Sequence, residues 1–394
     1  MSEIMAGRRI LFFTPGGDAR CGGVFASQVT GLARYCVQLG AETLIFHRTK
    51  GDRQDCEEFE RGIRLLSIDH WYPSTNLFNV AKVYRKEAEP YWQRMVDFKP
   101  THIYVRSYVH CLVARELADQ TGAKLIYSMR GPDAYEIRKP GGWKNLLRSI
   151  IVEHGVRKAM RICDGFTSMS YAAIKWCAAQ YGVYGHMIPC CVADDFFRDQ
   201  PLKERKDIRT RLGFTDNDRV IVWSGSPAYW QCLDGVVELL KGLCARDRSI
   251  RVLFLAYRME EFMRELCVKH SFDPELWRVT SLPQPAVAGH LKACDVGIDV
   301  LAVDDFKSAI CCPVKVGEYL ACGLPVLITR TMGDVPDLIR KYAVGEVLND
   351  DLQVDDAYLK LKRALNVDVS SAKKCAKEFF GWDSQRGAVE TLFA

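Results

Sequence analysis

Short apolar runs bounded by turn residues recur along the chain and alternate with longer stretches in which apolar positions return every third or fourth residue. The runs at 9–15, 42–47, 63–68, 101–105 and 124–128 have the length of buried strands, and 24–39 and 80–98 between them have helical spacing. A second series begins at 220–224 and continues through 251–256, 279–282, 295–300 and 325–330, with helical stretches at 233–243 and 313–322. Strands that are apolar throughout, rather than at alternate positions, belong to parallel sheets covered on both faces by helices. The pattern predicts the α/β class, and 394 residues are too many for one core, so two or three domains are expected. The polar stretch 200–206 between the two series reads as a linker.

Composition narrows the function classes. With 48% hydrophobic and 26% charged residues the chain is an ordinary globular one. No apolar run reaches the roughly 18 residues that span a bilayer, and 10–13 is too short for a signal-peptide core, so a cytoplasmic protein is expected. The 16 cysteines are scattered without a C-x-x-C, which argues for reduced thiols over a disulfide framework or a zinc site. The net charge of +5 is uneven: residues 1–200 hold 27 lysines and arginines against 21 acids, residues 201–394 hold 27 against 28. No nucleic-acid motif accompanies the basic half, which fits a lipid surface or a phosphorylated ligand.

The most informative stretch is 312–338. Pro313 suits the first turn of a helix, and Gly323 followed by Pro325 ends it. On that helix Lys315 and Glu318 are three residues apart and share a face, beside an N-terminus whose N–H groups favour an anion. Spacing alone also fits a surface ion pair. The whole run Pro313, Lys315, Glu318, Tyr319, Ala321, Gly323, Pro325, Val326 resembles the donor-nucleotide motif of GT-B glycosyltransferases, family 4 in particular. The resemblance implies two Rossmann-like doubly wound domains facing a cleft, divided as 1–197 on the acceptor side, 198–375 on the donor side, and a helix over 376–394 that crosses back. It implies that Glu318 accepts hydrogen bonds from the ribose hydroxyls of a nucleotide-diphosphate sugar. Lys315 and nearby amides then hold the diphosphate.

Other segments extend the resemblance. The loop with Gly22 and Gly23 follows the first strand; it lacks G-x-G-x-x-G, and the second strand ends in Phe46-His47-Arg48 without the acid a nicotinamide-dinucleotide site wants, whereas the GT-B resemblance implies that these glycines face the cleft and let the backbone approach the donor phosphates or the acceptor. Arg130 and Glu136 lie in an R-G-x-x-x-x-E loop after a strand, candidates for the cleft or for a structural ion pair. Residues 186–197 resemble the segment that ends the first domain. Gly225 and Ser226 form the glycine loop of the second domain, Tyr319 belongs to the donor motif, and Pro283 marks the turn where backbone contacts the base. The glycine loop lacks the usual cation, which shifts that burden to Lys315, with Lys307 as second choice. The family's first glutamate falls on Ile310, with Asp304 and Asp305 nearby. Asp216-Asn217-Asp218 matches D-x-D literally but reads as a turn, so no metal and no cofactor is expected.

Residues 138–161 carry seven basic residues and one acid, interleaved with Trp143, Leu146, Leu147, Ile150 and Ile151. This suits a helix on an anionic membrane surface or a packed helix with a solvated basic face. The expected function is sugar transfer, with retention, to a glycan or lipid-linked acceptor in surface-polysaccharide or glycolipid assembly, by an enzyme peripheral to the inner membrane face. The alternatives are a non-catalytic GT-B subunit docked on a partner transferase and a nucleotide-sugar 2-epimerase.

Overall fold

The computed structural model describes residues 4–15, 25–48, 57–68, 80–226 and 228–394. The chain divides into two compact units, Met1–Pro189 with Gln385–Ala394, and Cys190–Ser384.

The first unit is built on eight strands, β1 (Arg9–Thr14), β2 (Glu42–Arg48), β3 (Glu57–Glu60), β4 (Ile63–Ile68), β5 (His102–Val105), β6 (Lys124–Met129), β7 (Gly165–Ser168) and β8 (His186–Met187). They lie in the order β3-β4-β2-β1-β5-β6-β7-β8, and every pairing is parallel except β3 with β4. Leu11, Phe13 and Phe46 of the sheet pack with Trp92 of helix Val80–Asp97 and Leu117 of helix Tyr108–Thr121. Arg386–Leu392 forms the last helix, and Phe393 after it meets the His102 ring edge-on.

Helix Trp143–Ile162 divides by depth. Its second half buries Val152, Val156 and Ala159 in this core, whereas Trp143, Leu146, Leu147 and Ile150, at i, i+3, i+4 and i+7, face outward with Trp143 71% and Ile150 58% exposed. Arg138, Lys139, Lys144 and Arg148 are exposed on and just before the same half.

The second unit contains β9 (Arg219–Gly225), β10 (Ile250–Ala256), β11 (Trp277–Thr280), β12 (Val296–Asp299), β13 (Val326–Thr329) and β14 (Gly345–Leu348), all parallel in the order β11-β10-β9-β12-β13-β14. The chain winds from β9 outward to β11, returns to the other side of β9 for β12, and continues to β14. The switch point of this doubly wound sheet lies between β9 and β12, where such folds bind ligands at the carboxyl ends of the strands.

Two boundaries differ from the sequence reading. The first domain ends at Pro189 rather than at residue 197, and 376–384 stay with the second unit. The Val192 N–H donates to the Phe380 carbonyl at 2.9 Å, and Lys292 Nζ donates to the Asp195 carbonyl, so 190–197 are held by the second unit. The expected linker is the start of a helix, Leu202–Arg211. Two of its arginines are anchors: Arg205 and Arg209 both reach the Asp295 carboxylate, at 2.7 and 2.6 Å, and that carboxylate also accepts from the Val220 N–H at the start of β9.

Candidate functional site

The carboxyl ends of β9 and β12 place Gly225 and Asp299 at the switch point, and helix Val314–Ala321 brings Lys315 and Glu318. Pro313 precedes the helix with no side-chain cap, leaving its first N–H groups for a ligand. Tyr319 ties the helix to the loop. Its ring is fully buried, and its hydroxyl accepts from the Ser224 N–H at 2.7 Å. The ring lies over Gly297, where a Cβ would come within 2.3 Å of Tyr319 Cδ2, so β12 carries glycine there because the helix side chain occupies the space. Tyr319, expected at the ligand, therefore supports the loop from beneath.

Lys315 is 9% exposed and points beneath the glycine loop. Its Nζ donates to Gln231 Oε1 at 2.6 Å, lies 3.2 Å from Asp299 Oδ1, and stands 4.9 Å from the centre of the Trp223 ring. Gly225 has φ 156°, and a Cβ there would sit 3.1 Å from Lys315 Nζ. The helix thus supplies a cation at the loop that lacks one of its own. A second cation stands over the same turn, with Lys307 Nζ 3.4 Å from the centre of the Trp230 ring.

Asp299 is fully buried, and neither of its oxygens takes an aligned hydrogen bond from a described residue; Lys315 is its compensation. Burial pushes its carboxyl above the usual range, with Lys315 pulling it back down. Glu318 is half-buried, and its carboxyl is pushed up to about 7, chiefly by burial, with Lys315 opposing and Cys190 adding to the rise. The site holds a cation, an acceptor poised near neutrality and a helix N-terminus, which together suit a ligand bearing both hydroxyls and phosphate.

Sequence reasoning missed Asp299, Gln231 and Trp223. A carboxylate closing an otherwise apolar strand is the one signal that could have found Asp299. Ser226 is exposed on the loop, and Pro283 precedes helix Gln284–Lys292 just beyond the carboxyl end of β11. Ile310 is buried at the end of helix Phe306–Ile310, and Asp305 caps that helix by accepting from the Lys307 and Ser308 N–H groups. Asp305 is thereby committed, and Asp304 is exposed. Asp218 of the D-x-D match accepts from Thr215, and Asp216 pairs with Lys206. Among the described residues no cluster of three or more histidines, cysteines and carboxylates could hold a metal. In the first unit Arg130 follows β6 and donates to Gln28 Oε1 at 3.0 Å. Gly22 and Gly23 lie outside the described residues.

No protein-family profile and no curated protein matches the sequence significantly. Solved structures do match in fold. Sucrose-phosphate synthase from Thermosynechococcus elongatus aligns over 98% of this chain and 95% of its own, with TM-score 0.71 and 14% identity. HepE from Anabaena, solved with UDP and glucose, covers 98% and 99% at TM-score 0.68 and 13% identity. WaaG, a glycosyltransferase involved in lipopolysaccharide biosynthesis, covers 98% and 99% at TM-score 0.67 and 14% identity. With its two parallel-sheet units and these neighbours over nearly its whole length, the chain has the GT-B glycosyltransferase fold.

Proposed function

We propose that this protein is a glycosyltransferase that moves a sugar from a nucleotide-diphosphate donor to a glycan or lipid-linked acceptor. The carrying observation is the meeting of Lys315, Glu318 and the Gly225 loop at the switch point of the second sheet. Glu318 accepts from the ribose hydroxyls, and Pro283 lies along the strand ends on the base side. Lys315 and the first N–H groups of helix Val314–Ala321 stabilise the charge that develops on the departing diphosphate, as preorganised donors do. The cation's role falls to lysine, so the transfer is metal-independent. Gly225 and Ser226 let backbone approach the phosphates. Arg130 is the second catalytic candidate beside Lys315, and Gly22 and Gly23 join the donor-binding set. Membership of family 4, retention and a place in surface-polysaccharide or glycolipid assembly complete the reading, and a UDP-sugar is the donor to try first because HepE was solved with UDP-glucose.

Calorimetric titration with UDP-, GDP-, ADP- and CMP-sugars tests this reading. One class should bind, and pH should matter. Glu318 is largely protonated at pH 6 and ionised at pH 8, and a carboxylate accepts from hydroxyls better than its acid. Ribose binding favours the ionised form, so affinity for UDP-glucose should rise about tenfold from pH 6 to pH 8, and Glu318→Gln should flatten the rise. Absence of binding to every class removes the reading. The buried Ile310 in place of a carboxylate favours one alternative, a non-catalytic GT-B subunit; binding without turnover on any acceptor would select it.

The same reading includes contact with the inner face of a membrane through 138–161. No described helix is long and apolar enough to cross a bilayer, but Trp143, Leu146, Leu147 and Ile150 form an exposed apolar face flanked by exposed Lys144 and Arg148. The charge matches an anionic lipid surface. Sedimentation should show binding to phosphatidylglycerol vesicles and little to phosphatidylcholine. The pair Trp143→Ser and Ile150→Ser, which removes roughly 1.5 kcal/mol or more of apolar transfer, should weaken it about tenfold or more.

A further inference from the structure

We propose that Asp299, together with Gln231, is a positioning residue that holds the Lys315 ammonium beneath the Gly225 loop where the diphosphate of the donor will lie. The inference rests on the donor-site reading and adds to it a residue that does not itself touch the ligand.

A fully buried carboxylate at the end of β12 serves no packing need; the neighbouring strand β13 fills its equivalent layer with Val326, Leu327 and Ile328. Burying such a group without aligned donors is unfavourable, and it persists where it has a specific partner. The partner here is Lys315, 3.2 Å from Oδ1. Lysine is a point charge on a flexible four-carbon stem, so an ammonium needs fixed acceptors to hold one location. Asp299 provides one from the sheet, and Gln231 provides the other from the turn Tyr229–Gln231, at 2.6 Å. The Trp223 ring closes a third side, and glycine at 225 removes the side chain that would stand between the ammonium and a ligand. One ammonium donor goes to Gln231, Asp299 draws the charge inward at ion-pair distance, and Nζ stands 3.1 Å from where a Cβ on Gly225 would sit, on the loop side. Glu318, the other acid acting on this lysine, lies beyond ion-pair distance and is left for the ribose.

The test uses full-length protein, with Asp299→Asn, Gln231→Ala and Lys315→Met titrated against UDP by calorimetry and against uridine by ligand-observed NMR. Asp299→Asn should weaken UDP about tenfold or more while leaving uridine unchanged, because only the phosphates meet Lys315. In the Lys315→Met background Asp299→Asn should change UDP affinity no further, the signature of residues acting through one another. Gln231→Ala, in a turn outside the sheet, should show the same preference for UDP over uridine with a smaller loss, and keeps the inference open to refutation if Asp299→Asn does not fold. Folded Asp299→Asn that binds UDP as tightly as wild type or tighter overturns the inference, as does an equal loss for UDP and uridine or additive effects in the double variant. Where the wild type binds GDP, ADP or CMP instead of UDP, the same series is run with that nucleotide and its nucleoside; wild-type protein that binds none of the four removes the donor reading and this inference together, whereas wild-type binding with an indifferent Asp299→Asn removes the inference alone.

Discussion

Glu318→Ala is expected to lose about 100-fold or more in nucleotide-sugar affinity while the ligand-free protein keeps or gains thermal stability. Two ribose hydroxyls donating to a charged acceptor are each worth roughly 1.5–3 kcal/mol when the acceptor is removed, and the sum corresponds to about two decades or more in Kd. The stability half follows from the carboxyl being pushed up to about 7. A folded-state value above the unfolded one means that the folded state binds the proton more tightly, so stability falls as pH rises through the interval up to about 7, and the ionised side chain opposes folding at pH 8. Removing it should therefore raise the melting temperature at pH 8 and change it less at pH 5. Calorimetry with UDP-glucose and thermal unfolding at the two pH values check both halves. A variant that binds as wild type would show that Glu318 does not face the ribose. A variant that loses binding only because it unfolds would show that the side chain is part of the core.

The stretch around Glu318 is the most legible part of the sequence because its signals are local. Lys315, Glu318, Gly323 and Pro325 sit in one uninterrupted helix-stop-strand run, and the helix Val314–Ala321 and strand Val326–Thr329 fall where that punctuation puts them. Elements whose side chains act at long range were less legible. Arg205 lies in the stretch that reads as a polar linker, because its partner, Asp295, is about ninety residues away in sequence. Strand β3 has the sequence Glu-Glu-Phe-Glu, which carries neither an apolar run nor alternation, and it exists by pairing with β4. Asp299 lies within a stretch read correctly as a strand, but its chemistry depends on a lysine from a helix further along the chain. Tyr319 fits the motif, yet only the glycine at 297 and the Ser224 amide show that its ring points into the domain. The motif marks the stretch to examine, and packing decides which of its side chains stay open to a ligand.

Lys315→Ala should have the second large effect, because on the proposed function the lysine would neutralise two different anions. In the ligand-free protein its partner is Asp299, and deleting one member of a buried pair costs about 3–5 kcal/mol because the other charge is stranded. Thermal unfolding should register that loss at pH 8 and a smaller one at pH 5, where a carboxyl already displaced upward by burial can take a proton. On the proposed function the partner in turnover would be the departing diphosphate, and loss of one preorganised electrostatic contact of this kind should lower kcat by roughly 100- to 1000-fold. The two roles separate in the double variant Lys315→Met with Asp299→Leu. Replacing both charges with apolar groups of similar size returns most of the stability, while kcat should stay as low as in Lys315→Ala. Lys315→Arg should not rescue it either, since a planar guanidinium fork is bulkier than an ammonium and cannot place its charge as a compact one does between Gly225, Trp223 and Gln231. A double variant that recovers activity along with stability would mean that Lys315 supports the fold alone and that the diphosphate is stabilised elsewhere, with Lys307 over Trp230 the first residue to substitute next.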